Sequence, residues 1–406
     1  MNIAILSYSS ANYKSNRKII ESGKKRNHKV IVLNPKNLVL YLSDKAGQSR
    51  IYTNENGILE RLPKIDAIIP RVATNISHCA SIIDFFTNNL GVYSTQSGES
   101  IKICSSKWLT LLKANEFGIK VPKTFYCSEF NSENLDTFVD SLGLPLILKL
   151  NRGSQGIGVM KFSDKTSLKT TAETLSKQGT SFLLQEMIKS KGNGNRQEDF
   201  RTIVIGQSDC IVTMRKTANN SKEFRSNLAR KGIAEPYELS EIERQFCLKV
   251  ARTIDSDICG LDWMKADDKS SPNLSSPILS SPILLENNSN MGVKIIEVVG
   301  KNFFLDLFFH IELAVQDFKK SKKEKDDNKK QNNFLYEEIQ NLKNELNKKE
   351  NLLNEIFDNE KMKNLFRSLK GKFSGYTDSE KKEKKIKITK PKQIIEMMID
   401  MLEVEK

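Results

Sequence analysis

The feature that most constrains this chain is a lysine at the end of an apolar strand. Pro145–Leu150 reads Pro-Leu-Ile-Leu-Lys-Leu, then Asn151-Arg152-Gly153-Ser154-Gln155-Gly156-Ile157-Gly158 leads into Val159–Phe162. Four apolar residues around Lys149 describe a buried strand, and burying an ammonium without an anionic partner is costly. The glycines between the strands allow backbone N–H groups to approach a ligand closely. Together the turn and the lysine suit a polyphosphate. An ordinary hairpin produces the same pattern, so the segment gains meaning only from what surrounds it.

Before it, short apolar strands alternate with amphipathic helices. Ile3–Leu6 precedes a helical stretch around Lys18–Lys25, then Val30–Leu33 and Ala67–Pro70 follow. Strand, helix, strand at this spacing predicts a small parallel α/β domain over residues 1–95. Ser7-Tyr8-Ser9-Ser10 follows the first strand, with no glycine fingerprint, which argues against a dinucleotide-binding site despite the topology. Residues 96–318 mix hairpins and helices. Strands are expected at Phe182–Leu184, Thr202–Ile205 and Ile211–Arg215, and a helix at Ile242–Ile254, giving an α+β domain. Its first lobe would span 96–185 and its second 186–318.

Carboxylates sit where two further strands are expected. Cys259–Met264 carries Asp262, and Ile283-Leu284-Leu285 runs into Glu286-Asn287-Asn288. Residues two apart on a strand share a face, so Glu286 and Asn288 point the same way. With Asp262 they form a set of hard oxygen donors suited to Mg²⁺ or Mn²⁺. Glu297-Val298-Val299 is a competing match, but it lacks the asparagine. Between the two strands an insert over 267–282 holds most of three copies of Ser-Ser-Pro-x-Leu, a composition of extended loops. Leu183–Ile188 is a strand running into a linker with Glu186, Met187 and Ile188. Arg201, Arg215, Arg225 and Arg230 offer guanidinium forks for phosphates or carboxylates.

In combination, Pro145–Val159, Glu223–Gly232 and Leu284–Gly292 resemble the RimK-type ATP-grasp ligases, the family that adds glutamate to a ribosomal protein. The likeness runs from residue 1 to about 315. It implies an ATP-grasp fold with an N-terminal pre-ATP-grasp α/β domain. It also implies an acyl-phosphate route in which ATP activates a carboxylate and an amino acid, glutamate or one like it, is joined to a protein or peptide acceptor. By the family's pattern Lys107 and Lys149 contact phosphates. Glu186, Met187 and Ile188 form the adenine hinge, and Asp199 sits near the ribose. Arg225, Ser226 and Asn227 line the nucleotide and acyl-phosphate site, with Arg215, Arg225 and Asn227 in catalytic roles. Asp262, Glu286 and Asn288 hold two divalent ions. The sequence departs from the pattern at Asn287, Met291 and Lys231, in the insert, and over 319–406, which has no counterpart.

That last section, 319–406, is rich in Lys, Glu and Asn. Leu335, Ile339, Leu342, Leu346, Lys349, Leu353 and Ile356 follow a 4-3 spacing broken only at Lys349, which describes a short coiled coil or a lone solvated helix. The first of these leaves a homo-oligomer open. A final apolar helix is expected around Ile394–Leu402. The net charge of +14 fits nucleic acid or an anionic substrate, but basic residues do not interleave with aromatics as a nucleic-acid face requires. No apolar run is long enough for a membrane helix, and the first seven residues are too short and uncharged for a secretory signal. Six scattered cysteines without a CxxC pair argue for free thiols in a reducing, cytoplasmic setting. An inactive scaffold that binds a partner through 319–406 is the rival to a ligase.

Overall fold

The computed structural model describes all residues except 46, 154–155, 191–195, 207–209, 220–231, 267–280, 359, 361–363 and 365–406. The chain divides into two compact units, Met1–Lys320 and Ser321–Lys406.

The first unit opens with β1 (Asn2–Leu6), α1 (Lys14–Lys25) and β2 (Lys29–Leu33). A meander of β3 (Leu38–Tyr41), β4 (Arg50–Glu55) and β5 (Ile58–Arg61) follows, then β6 (Ala67–Pro70), α2 (Ile76–Asp84) and β7 (Tyr93–Ser94). The order β2-β1-β6-β7 is parallel throughout. Ile3–Leu6 and Ala67–Ile69 are buried on both faces, which is why they read as unbroken apolar runs. The antiparallel meander over Leu38–Arg61 is an addition to the α/β pattern that the sequence suggested.

Next come α3 (Gly98–Cys104), α4 (Lys107–Glu116), β8 (Thr124–Cys127), α5 (Leu135–Leu142), β9 (Leu146–Leu150), β10 (Val159–Phe162), α6 (Lys165–Lys177) and β11 (Phe182–Glu186). Their sheet, β10-β9-β11-β8, is antiparallel. One of its faces is covered through Leu135 and Val139 of α5 and Leu168 and Ala172 of α6. The remaining elements are β12 (Glu198–Ile205), β13 (Cys210–Thr217), β14 (Ile233–Pro236), α7 (Glu241–Thr253), β15 (Ile258–Lys265), β16 (Pro282–Asn288), α8 (Lys294–Val299) and α9 (Phe304–Asp358).

The third sheet runs β14-β13-β12-β15-β16, all antiparallel. Helix α7 starts on a capping box between Ser240 and Glu243, which satisfies two otherwise orphaned N–H groups. It packs Cys247, Leu248 and Ala251 against Phe200, Leu261, Trp263 and Leu284. The opening of α9 fills the remaining core: Phe304, Leu307, Phe308 and Ile311 pack with Ile3, Ile5 and Ile19 and with Ile203, Ile205 and Ile258. That shared core joins the parallel sheet to the third sheet within the first unit. In the second unit Ile339, one position of the heptad seam, is exposed. The side chains at the other six seam positions, and the helix expected around Ile394–Leu402, lie outside the described residues. Among the described residues no helix is long and apolar enough to cross a membrane.

Candidate active site

Strand alternation builds the site. On β12, Asp199 and Arg201 face a cavity of about 960 Å³, while Phe200 between them enters the core. On the neighbouring β13, Met214 and Lys216 face the same cavity. Arg215, expected in a catalytic role, points the other way: its Nη2 lies 2.6 Å from Glu235 and its guanidinium sits over Tyr237. A period of two forces this choice, and Lys216 takes the inward place.

On β15, Asp262 faces the cavity opposite Glu286 of β16. That pairing depends on an irregularity. Trp263 pairs with Leu284, but Asp262 pairs with Glu286, so Leu285 is an extra residue. In regular alternation Glu286 would share the face of Leu284, which lies in the core. The bulge turns Glu286 to the cavity instead. Asn288 follows on the same face, and Asn287 between them is buried against Cys104. The rival Glu297 lies on α8, half-exposed and paired with Lys14 at 2.5 Å.

Charges are concentrated here. Arg201 donates to both carboxylate oxygens of Asp262, with Nε at 2.9 Å from Oδ1. Lys216, only 3% exposed, reaches Asp262 Oδ1 at 3.1 Å and also pairs with Asp199. Asn288 Nδ2 donates to Asp262 Oδ2 at 3.3 Å. Burial opposes the charge on Asp262, but Arg201 and Lys216 outweigh it and hold the carboxyl far below the usual carboxylate range. Burial likewise opposes the Lys216 ammonium, yet Asp199 and Asp262 raise its pKa. Asp262 raises that of Arg201.

The opposite wall carries the lysines. The Ser106 hydroxyl caps α4, accepting from Leu109 N, and donates to Asn151 Oδ1 at 3.0 Å. This ties the first residue of α4, Lys107, to the glycine-rich turn. Its ammonium donates to Gly153 O at 2.9 Å and lies 3.5 Å from Glu286. Lys149 projects from β9 and donates to Gln185 Oε1 at 2.6 Å. Burial pushes Lys149 down to about 8, against the pull of Glu286. Gly158 has φ +72°, and a Cβ there would meet Leu150 at 2.5 Å, so the turn requires glycine. Glu186, Met187 and Ile188 line the same cavity, with Glu186 Oε1 accepting from Lys123 N at 2.8 Å. Arg225, Ser226 and Asn227, expected beside the nucleotide and acyl-phosphate, lie outside the described residues.

The structure thus brings Lys107, Lys149, Glu186, Met187, Ile188, Asp199, Asp262, Glu286 and Asn288 to one cavity. Sequence reasoning missed Lys216, Gln185 and Arg71. For Lys216 the strand was expected to end at Arg215, one residue too early to expose the alternation. Arg71 could have been noticed as a charge directly after the apolar strand Ala67–Pro70.

The RimK-like ATP-grasp domain family matches residues 104–307, and the RimK PreATP-grasp domain family matches residues 1–101. The chain belongs to the RimK family of ATP-grasp proteins. Among relatives of this RimK family member, a "Probable alpha-L-glutamate ligase" of Histophilus somni (strain 2336) is 30% identical over 302 residues, 73% of this chain and 93% of that protein. A "Probable alpha-L-glutamate ligase 2" of Shewanella sp. (strain MR-4) is 30% identical over 268 residues, 66% and 85% respectively. The ATP-grasp ligase PsnB, complexed with minimal precursor, Mg and ADP, superposes with a TM-score of 0.57 at 14% identity, covering 78% of this chain and 98% of PsnB. D-alanine–D-alanine ligase from Bacillus anthracis, complexed with ATP, gives 0.54 at 18% identity, over 79% and 99%. These two likenesses establish the ATP-grasp fold.

Proposed function

We propose that the protein is an ATP-dependent carboxylate–amine ligase that adds glutamate, or a similar amino acid, to a protein or peptide acceptor. The observation that carries this reading is one cavity that opposes Lys107 and Lys149 to Asp199, Asp262 and Glu286. Ligase relatives at 30% identity support the same reaction class. A lysine whose one direct partner among the described residues is an amide fits a site for phosphate oxygens. The segments 1–95, 96–318 and 319–406 are proposed as its pre-ATP-grasp, ATP-grasp and tail sections.

The donor chemistry fits divalent cations. Asp262 and Glu286 lie directly across a strand pair and Asn288 lies on their face, giving carboxylate and amide oxygens of the kind that Mg²⁺ prefers. Asp262 is already held in its charged form by Arg201 and Lys216, as a ligand must be. Asp262, Glu286 and Asn288 would hold two such ions, Mg²⁺ or Mn²⁺, which supply charge neutralisation for the triphosphate.

In the proposed reaction the acyl substrate's carboxylate oxygen takes the γ-phosphoryl group of ATP, and ADP leaves. The amine then attacks the acyl carbon, the C–O bond to phosphate breaks, and inorganic phosphate departs as the amide forms. Lys107 and Lys149 oppose the charge on the phosphoryl oxygens, which is where positioning and electrostatics do most in such transfers. Met187 and Ile188 would border the adenine and Asp199 the ribose. The test is ADP release by the purified protein with Mg²⁺, ATP, and a panel of amino acids and acceptor peptides. We expect release that requires both an amino acid and a peptide, with a peptide product heavier by one residue. ATP turnover indifferent to every amine and carboxylate would refute the ligase reading.

A further inference from the structure

Arg71 is an arginine in an unusual position. It follows directly on β6, is 6% exposed, and lines the cavity on the side of the parallel sheet. Its Nη1 donates to Met291 O at 3.0 Å and its Nη2 to Ser15 Oγ at 2.9 Å, while its buried Nε has no hydrogen-bond partner among the described residues. Both partners are neutral. Burial pushes its pKa down to about 10, and Tyr13 opposes the fall. Lys14, which lines the same cavity, pairs with Glu297 of α8. Among the described residues this buried cation is held by a carbonyl and a hydroxyl, without the anion that usually accompanies one.

Its surroundings supply the rest of an anion site. In the order β2-β1-β6-β7 the chain passes from β1 to β2 on one side and later from β6 to β7 on the other, so the switch point lies between β1 and β6. Open parallel sheets bind ligands at the carboxyl ends of the strands beside such a point. The segment after β1 leads into the amino end of α1, where Tyr13 is the N-cap, no side chain caps the helix, and the first turn holds no acidic residue. Arg71 follows β6. Tyr13, Lys14 and Ser15 line the same cavity. A helix amino end with its dipole, facing an arginine fork, favours a carboxylate.

We propose that Arg71 and the amino end of α1 seat the free α-carboxylate of the amino-acid substrate, in the part of the cavity lined by the parallel-sheet segment. The inference rests on the ligase reading and names where one substrate sits. A carboxylate engaged by Arg71 leaves the amine of the same amino acid free to attack the activated acyl carbon. Arg71 also donates to Met291 O, three residues beyond Asn288, which couples this seat to the segment that follows the metal-binding strand.

The test uses the full-length protein with Mg²⁺ and AMPPNP, titrated by calorimetry with L-glutamate and with its α-amide. Wild type should bind L-glutamate more tightly than the α-amide. In R71Q we expect L-glutamate to weaken by about 10- to 100-fold, the usual effect of losing a charged hydrogen bond. The α-amide should change by less than about twofold, because it never engaged the guanidinium charge. Affinity for Mg²⁺-AMPPNP should be unchanged, which reports that the fold is intact. If R71Q does not bind nucleotide, R71K carries the test, since a point charge keeps part of the preference without the fork. A variant that weakens both ligands equally, or neither, overturns the proposal, as does a wild type that fails to distinguish them. Selective loss in R71Q alongside silent ADP release would keep the carboxylate seat and remove the ligase reading. Turnover with unaltered selectivity would do the reverse.

Discussion

Lys149→Met separates what the buried lysine does for the fold from what it does for the ligand. In the unliganded protein, burial lowers Lys149 from the ordinary 10.5 to about 8. The folded pKa lies below the unfolded one, so below pH 8 the folded state carries an ammonium it would rather lose. As pH climbs from about 8 toward 10.5 the folded state gives up its proton first, and stability rises relative to a chain without the lysine. At about 1.4 kcal/mol per unit, the fall from 10.5 to about 8 amounts to at most about 3.5 kcal/mol. The side chain is partly open to the cavity, so screening by water reduces this to about 1–2 kcal/mol. Lys149→Met should therefore show a flatter stability profile than wild type between pH 7.5 and 10 by that amount, read by urea unfolding. Stabilisation by Mg²⁺-AMPPNP should move in the opposite sense and largely disappear. ADP release should fall by about 100-fold or more, the scale of losing one preorganised electrostatic contact. Identical pH profiles for the two proteins would refute the burial argument. Near-normal ADP release by a folded Lys149→Met protein would refute the phosphate assignment.

Two further outcomes follow from the site and the unit boundary. Glu286→Gln should cut Mg²⁺-dependent turnover by about 100-fold or more and shift the Mg²⁺ requirement upward, whereas Glu297→Gln, which removes only a surface pair with Lys14, should leave both near wild type; the reverse order in a metal titration would relocate the metal strand. Truncation after Lys320 should leave nucleotide affinity intact, because Phe318 still packs on the core and Lys319 still reaches Asp66 at 3.2 Å. Sedimentation of the shortened protein reads any change in oligomeric state, and an insoluble product would mean that 321–406 is needed to complete the fold.

Much of the fold could be read from local patterns. Ile3–Leu6 and Ala67–Pro70 are apolar because a parallel sheet buries both faces, so their runs appear directly in the sequence. The β9–β10 hairpin with Lys149 could be read for a similar reason, since apolar strands and glycines encode it within a few residues. Asn288 and Glu286 could be placed on one face because two residues of strand return a side chain to the same side. The meander over Leu38–Arg61 was not legible. Two of its strands, β3 and β5, have only four residues each, and β5 is exposed throughout, so no burial pattern is written there.

What remained was decided by contacts between distant segments. Arg215 and Lys216 are adjacent cations, and only the pairing of β13 with β12 and β14 determines which one faces inward. Leu285 looks like one more apolar residue of a strand, but its place as the extra residue opposite β15 turns Glu286 from the core to the cavity. Arg71 lies 56 positions from Ser15 and 220 from Met291, and its pairing with a hydroxyl and a carbonyl exists only once those segments meet. The sequence by itself determines side-chain chemistry and the periodicity of each strand or helix, because these depend on near neighbours. Registry, bulges and the pairing of buried charges depend on which strand lies alongside, and only the tertiary structure decides that.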